Sequence, residues 1–458
     1  MPNSVNEVNT QREMEQLVKM SIEASKISPK EYVKHDVKRG LRNSNGTGVK
    51  VGVTRIASVV GYDVVDDKII PIPGEMHYRG IDLSDMVDGF DQEGRLGYEE
   101  VMYLLLFDKL PPASDLNHFE SILNQERDLP EKFKENVILN QPSNHIMNYL
   151  QRMILSLYSY SENPDDTSLS SLLEKGLQII AKMPTMMAYG YMAQQHYFNH
   201  DSLILHSPIY ASSAENILHM VRRNSSYTEE EVQILDLLLM VHAEHGGGNN
   251  SAFTTNVISS SGTDIFSTLA AAVGSLKGIK HGGANLKATE MLNNIADNVS
   301  DWHDEAEIEA YLNKILDGRA YDGSGLIYGM GHAVYTISDP RAVMLKNGLE
   351  EMTLDTEWAG KLEFVKLIES TTKKIMKERK GENFQICANV DLYSGVVYEM
   401  LNIPPELYTP IFATARMVGW VAHILEQTSD GKIMRPAYET IHKDMEYIPL
   451  TERKKGDL

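Results

Sequence analysis

Apolar residues recur at intervals of three and four along most of the chain, which is the spacing of amphipathic helices. In one clear example, residues 234–242 carry apolar side chains at helical spacing that ends at His242. Thr228 precedes this segment and stands three residues before Glu231, the spacing of a capping box. The glycines at 246–248 then stop the predicted helix.

Proline marks two further helix starts. Asp339-Pro340 and Thr409-Pro410 each place a capping side chain before a proline at the first helical position, and the second helix is predicted to run to about Gln427. Strand signals are sparse. Three weakly alternating segments near the N-terminus predict a small β-ribbon: residues 49–53, 56–60 and 68–72. The predicted fold class is therefore mainly α.

Composition narrows the classes of partner. The 458 residues suggest two or three domains, and the net charge of −21 leaves no basic surface for a nucleic-acid partner. An acidic substrate would need a local pocket of arginines. The one cysteine, Cys387, excludes an intramolecular disulfide and a Cys-rich zinc site. No apolar run reaches 18 residues and no leader pattern opens the chain, so we expect no membrane partner and a cytoplasmic location.

The segment from His242 through His245 to Asn250, with three glycines in its middle, resembles parts of three known sites. Zinc deaminases also need a Pro-Cys-x-x-Cys partner, which one cysteine cannot supply. The oxyanion loop of α/β-hydrolases needs a Gly-x-Ser-x-Gly elbow, and zincins need His-Glu-x-x-His; neither pattern occurs. A structural interpretation stays open, in which two histidines close a helix C-terminus, where cations suit the dipole.

Two more glycine-flanked histidines are candidates for ligand contacts. His281 lies in the turn Lys280-His-Gly-Gly-Ala-Asn285, where it would present a ring nitrogen to a ligand or simply cap a helix. His332 lies in a Gly-x-Gly segment that is not a dinucleotide fingerprint, because Val334 occupies the place of the third glycine.

Arg341 and Asp391 each have two interpretations. Arg341 follows Asp339-Pro340 in a first helical turn, so it would bind an anion together with the helix N-terminus or lie solvated on the surface. Asp391 interrupts an apolar run just after Cys387, which suits either a partly buried carboxylate with a raised pKa or a helix N-cap.

Two arginines near the C-terminus complete the inventory. Arg416 shares a helical stripe with Phe412, Trp420 and His423, which is an unlikely surface face, and Arg435 follows a turn further on. Together with the histidines and the aspartate, they suit proton abstraction next to a carbonyl, with arginines holding a carboxylate-rich acceptor.

These motifs, in this order, are similar to those of the citrate synthases, and the resemblance covers roughly residues 39–445. It rests on six segments and extends upstream through three more: 242–251, 280–285, 331–341, 389–395, 415–420 and 435–436, then 182–185, 99–106 and 78–82. The resemblance implies an all-helical homodimer with an N-terminal extension over 1–38, a large domain over 39–282 and 396–458, and a small domain over 283–395.

The resemblance also implies an acyltransferase that condenses acetyl-CoA with oxaloacetate and hydrolyses citryl-CoA to citrate and CoA, with no cofactor and no metal. The nearest alternative is 2-methylcitrate synthase, which uses propionyl-CoA. The implied catalytic residues are His281, His332 and Asp391. The implied oxaloacetate ligands are His245, Arg341, Arg416 and, from the second subunit, Arg435. The implied coenzyme A site consists of Leu326, Ile327, Gly329, Met330, Gly331 and Asn389.

The chain departs from the family pattern beside His332. Many bacterial members carry Arg directly after this histidine and Lys or Arg at the fourth position beyond it, whereas this chain has Ala333 and Thr336. The second position often anchors a coenzyme A phosphate, so we expect Lys280 or another nearby lysine to take its place here.

Overall fold

The computed structural model describes residues 5–66, 68–354 and 356–453. The chain forms two compact units: a main unit, Gly52–Met434, and a terminal unit made of Met1–Val51 and Arg435–Leu458. The predicted N-terminal extension over 1–38 lies in the terminal unit. The predicted division of the remainder into a large and a small domain stays a prediction.

The terminal unit combines the two ends of the chain. It contains α1 (Val5–Ala24), α2 (Pro29–Lys34) and two short 3-10 turns at Arg39–Leu41 and Leu450–Glu452. Ser28 caps α2 by accepting the Lys30 N–H. His35 Nδ1 lies 3.9 Å from Glu439 Oε1, which brings the two parts of this unit together.

Helices dominate the main unit, which confirms the predicted fold class. In order they are α3 (Leu83–Glu93), α4 (Tyr98–Phe107), α5 (Ala113–Gln125), α6 (Ile146–Leu157), α7 (Leu169–Asn199), α8 (Ser213–Val221), α9 (Glu229–His242), α10 (Asn250–Ser259), α11 (Ile265–Leu276), α12 (Ala284–Asn298), α13 (Glu305–Leu316), α14 (Pro340–Thr353), α15 (Trp358–Lys380), α16 (Val390–Met400) and α17 (Tyr408–Asp430). Shorter turns are a π-helix at Lys134–Leu139 and 3-10 helices at Tyr158–Tyr160 and Pro405–Leu407.

The predicted helix starts are confirmed with one shift. Thr228 and Glu231 form the capping box of α9, each side chain accepting the other's backbone N–H at 2.9–3.3 Å. Asp339 caps α14 by accepting the Arg341 N–H. In contrast, α17 begins at Tyr408, before the predicted Pro410, because the 3-10 helix Pro405–Leu407 leads directly into it.

The small β-ribbon is also confirmed, with different limits. β1 (Ala57–Val65), β2 (Lys68–Tyr78) and β3 (Ile81–Asp82) pair antiparallel in that order. The predicted strand at 49–53 is wrong: that segment is irregular, and Val53 is fully exposed, so no face of it is buried against a neighbour.

The ribbon packs closely against the loop that leads to α14. A Cβ on Gly61 of β1 would lie 2.6 Å from the Val334 carbonyl oxygen, and one on Gly74 of β2 would lie 2.2 Å from that of Ser338. The Gly74 N–H also donates to the Ser338 hydroxyl at 3.1 Å. Only glycine permits so close a backbone approach, so the ribbon fixes the path of residues 334–338.

The core is organised around α17, which packs against α4, α7, α9, α10 and α11. The stripe predicted on this helix is buried: Arg416 is 1% exposed, and Trp420 and His423 are fully buried. A buried arginine must find partners or bind an anion. We therefore expect a binding site at the ends of the helices around this stripe. Helices α12 to α16 pack against one another beside this core.

Candidate active site

His242, the last residue of α9, is a structural histidine. Its Nδ1 donates to the Leu238 carbonyl at 2.8 Å, and its ring meets Phe412 edge-on at 4.3 Å. Burial, helped by the charge of Arg416, lowers its pKa to about 3. His242 is therefore neutral, and the interpretation of this histidine as a cation on the helix dipole is wrong.

His245, three residues later, lies against His332. The two Nε2 atoms are 3.0 Å apart. The backbone N–H groups of Val334 and Tyr335 both donate to His332 Nδ1 at 3.1 Å, so that nitrogen carries no proton and Nε2–H is the donor. His245 then accepts through Nε2 and keeps its proton on Nδ1.

The electrostatic surroundings keep His245 neutral. Burial first, and then the charge of Arg341, hold its pKa well below the ordinary value. Its Nδ1 is buried and has no hydrogen-bond partner among the residues that the structure describes. A buried N–H without a partner is costly, so it is a natural contact for a ligand oxygen.

Arg416 reaches the same region from α17. Its Nε donates to the His242 carbonyl at 2.6 Å and its guanidinium lies 4.9 Å from the centre of the Phe412 ring. Burial lowers its pKa to about 10, so it is still charged at neutral pH. Within the described residues its Nη2 has no hydrogen-bond partner, which leaves a buried cation ready to receive an anion.

Arg341 is buried as well, so its interpretation as a solvated surface arginine is wrong. It forms a two-point ion pair with Asp339, with Nε–Oδ1 at 3.0 Å and Nη2–Oδ2 at 2.7 Å. Burial alone would lower its pKa, but Asp339 outweighs burial and holds the pKa above its ordinary value. The positive charge of Arg341 lowers the pKa of both His245 and Asp391.

Asp391 lies in the first turn of α16 and does not cap that helix. The cap is Asn389, whose Oδ1 accepts the Asp391 N–H at 3.0 Å. Burial raises the pKa of Asp391 to about 6, although Arg341 and a hydrogen bond from Asn285 oppose the rise. A carboxylate with a pKa near 6 is ionised at neutral pH and basic enough to take a proton from carbon.

His281 lies in the turn before α12. Its Nε2 is 3.0 Å from the Ser251 hydroxyl, and that hydroxyl also accepts the Trp420 indole N–H at 3.1 Å. Burial, with the charge of Arg416, lowers the pKa of His281 to about 4, so the ring is neutral at neutral pH. Sequence reasoning gave Ser251 no role, although it ends the His245 motif; its two contacts lie 30 and 169 residues away along the chain.

The predicted coenzyme A residues are joined to the start of α16. Met330 and Ala388 form an antiparallel bridge, and Asn389 Nδ2 donates to the Gly331 carbonyl at 2.8 Å. Gly329 has φ +79°, and a Cβ there would lie 2.9 Å from that of Leu392. Segment 327–331 and Asn389 are thus held beside Asp391, whereas the Leu326 side chain is 56% exposed.

Arg435 belongs to the terminal unit, and its role in the site stays a prediction. Among the residues that the structure describes, no group of three or more His, Cys, Asp or Glu could hold a metal ion. In the same residues, no helix is both long and apolar enough to cross a bilayer.

The mainly helical fold and this cluster of histidines, arginines and an aspartate are those of an acyltransferase. The chain belongs to the citrate synthase family, because the family model "Citrate synthase, C-terminal domain" matches residues 44–437.

Comparisons with individual proteins agree with this assignment. The chain is 31% identical to the citrate synthase of Haloferax volcanii, over 91% of this chain and 99% of that protein. It is 33% identical to the citrate/2-methylcitrate synthase of Bacillus subtilis, over 78% of this chain and 88% of that protein. The crystal structure of citrate synthase from Thermotoga maritima superimposes with a TM-score of 0.69 at 30% identity, covering 89% of this chain and 98% of that one.

Proposed function

We propose that this protein condenses acetyl-CoA with oxaloacetate and hydrolyses the resulting citryl-CoA to citrate and CoA. The observation that carries the proposal is a pair of groups suited to enolisation. Asp391 has a pKa of about 6, and His281 is neutral with Nε2 already bonded to Ser251. Asp391 can act as a base toward carbon, and His281 has Nδ1 available to donate to a substrate oxygen.

In the first step Asp391 removes a proton from the acetyl methyl group. A thioester methyl is a weak acid, so the negative charge that forms on the thioester oxygen must be stabilised at the same moment. His281 supplies that stabilisation by donating from Nδ1, and a single well-placed donor of this kind contributes about 3 kcal/mol. A neutral imidazole suits this role because it donates without giving up a full proton.

In the second step the enol carbon attacks the ketone carbon of oxaloacetate. His332 has its proton on Nε2, and we assign it as the donor to the ketone oxygen as that oxygen gains charge. Because Nε2 also contacts His245, oxaloacetate must replace the bond between the two rings. The new hydroxyl gains one proton, which balances the proton taken from the methyl group.

The carboxylates of oxaloacetate are proposed to meet the free donors around these rings. Arg416 Nη2 and His245 Nδ1 are both buried and unpartnered in the described part of the chain, which supports their assignment as ligands. Arg341 keeps its two-point ion pair with Asp339 and adds positive charge to the site. We propose Arg435 as the remaining ligand, given by the second subunit of a homodimer.

The coenzyme A moiety is assigned to segment 326–331 with Asn389, and Lys280 stays the candidate for a phosphate contact. We propose that no metal or other cofactor takes part. The cytoplasmic location expected from the sequence stays a prediction.

The test is a direct assay of the purified chain. CoA release is followed with a thiol reagent in the presence of oxaloacetate and either acetyl-CoA or propionyl-CoA, and the products are identified by mass. We expect citrate and a higher kcat/KM with acetyl-CoA. The relationship to a citrate/2-methylcitrate synthase makes propionyl-CoA the relevant competitor, because one methylene changes specificity by only about 1–3 kcal/mol. A preference for propionyl-CoA would make 2-methylcitrate synthase the correct assignment.

A further inference from the structure

The Ser251 hydroxyl lies at the centre of a buried hydrogen-bond network that reaches His281. Ser251 and Trp420 are both fully buried. Ser251 Oγ is 3.1 Å from Trp420 Nε1, 3.0 Å from His281 Nε2 and 2.9 Å from Asn249 Oδ1. Asn249 Oδ1 and His281 Nε2 are therefore the two partners that can receive the one hydroxyl proton.

The chemistry of the partners limits how the network is arranged. An indole N–H only donates, so Trp420 occupies one lone pair of the hydroxyl. An amide oxygen only accepts, whereas a neutral imidazole nitrogen does either. Two arrangements remain: Ser251 donates to Asn249 and accepts from His281 Nε2–H, or Ser251 donates to His281 Nε2.

Only the second arrangement suits catalysis. In the first, the His281 proton is on Nε2, and Nδ1 offers a lone pair that would repel the thioester oxygen. In the second, Nε2 accepts and Nδ1–H is the donor. In the second arrangement Asn249 Oδ1 loses the Ser251 proton, but it still accepts the Ala252 N–H at 3.0 Å.

We propose that Trp420 is a positioning residue for enolisation, which acts through Ser251 to keep the His281 proton on Nδ1. Its indole N–H occupies one lone pair of the buried hydroxyl oxygen. Without that N–H, the oxygen would draw its donor from His281 Nε2 and favour the unproductive tautomer. The bonds Trp420 to Ser251 to His281 also run in one direction, so each polarises the next toward the substrate oxygen.

This inference rests on the proposed function, and a double-mutant cycle tests it. Trp420→Phe removes the N–H and keeps an aromatic ring. We expect it to lower kcat about 3- to 10-fold, the effect of one hydrogen bond, with KM for oxaloacetate changed less than twofold. The isotope effect on kcat with methyl-deuterated acetyl-CoA should rise, because enolisation becomes slower relative to the other steps.

The cycle is completed in a Ser251→Ala background. If Trp420 acts through the hydroxyl, Trp420→Phe should change kcat less than twofold once the hydroxyl is absent. The matched control is Trp302→Phe, which removes another indole N–H, donated to the Ala296 carbonyl, and should leave kcat unchanged. Circular dichroism and thermal unfolding confirm that each variant is folded.

Two outcomes would overturn the inference: unchanged kcat in Trp420→Phe, whatever its KM for oxaloacetate, or an equal loss in the Ser251→Ala background. Each of these leaves the proposed function intact if the wild type makes citrate. A wild type that releases no CoA from acetyl-CoA and oxaloacetate would instead refute the proposed function itself.

Discussion

Replacing the Asp391 carboxylate by an amide should stop catalysis and stabilise the protein. Asp391→Asn keeps the size of the side chain and an oxygen that can accept from Asn285, but it has no basic oxygen for the acetyl methyl group. We expect less than a tenth of wild-type turnover, because loss of a general base typically lowers the rate 10²-fold or more. Oxaloacetate binding should be largely unchanged.

The gain in stability follows from the pKa of this group. Burial raises the pKa of Asp391 from 3.8 to about 6, which corresponds to about 3 kcal/mol of preference for the neutral form. The unfolded chain ionises near pH 3.8, so the wild type carries the full penalty above pH 6. The penalty decreases between pH 6 and 3.8 and is absent below. The amide of the Asp391→Asn variant is uncharged, so it has no such penalty at any pH.

Thermal unfolding at pH 8 and pH 4 measures this difference. For a chain of 458 residues the unfolding entropy is about 1 kcal/mol/K, so the gain at pH 8 is at most about 3 °C in Tm. It should shrink toward zero at pH 4. An equal gain at both pH values, or turnover above a tenth of wild type, would refute the reasoning.

Three further predictions concern the same site. The kcat/KM for acetyl-CoA should rise with pH through about 6, because Asp391 must lose its proton to act as a base; a profile that is flat between pH 5 and 7 would contradict this assignment. Dialysis against EDTA should leave the rate unchanged, and a loss restored by added metal would show that the reaction needs one. Mixing inactive Arg435→Ala with inactive Asp391→Asn under conditions that exchange subunits should restore about a quarter of wild-type activity, because about half of randomly paired dimers are mixed and each has one intact site. If exchange is verified and the mixture stays inactive, Arg435 acts within its own chain.

Local signals predicted the helix starts and the chemistry of several residues. The Thr228 capping box and the Asp339-Pro340 start depend on neighbours within three residues, and both were confirmed. The raised pKa of Asp391 was predicted from its place in an apolar run. The two helix starts are visible in sequence because their partners are close along the chain, and the apolar run around Asp391 indicates its burial.

Long-range contacts were the part that sequence could not supply. The pattern around His242 and His245 did not reveal that one ring is structural and the other contacts His332, 87 residues away. Nor did any local signal connect Ser251 to Trp420. Pairings of this kind depend on how helices pack, which helical periodicity alone does not determine.

The middle and the tip of the β-ribbon have opposite tolerance for change. Around Gly61 and Gly74, in the middle of the two long strands, the backbone supports the loop between His332 and Arg341, so a bulky residue there would displace both side chains while altering no motif residue. At the tip of the hairpin, Val64 and Val65 are half exposed. The tip is therefore the place to attach a fluorescent label or an affinity tag, and the middle is a place where a remote substitution would inactivate the enzyme.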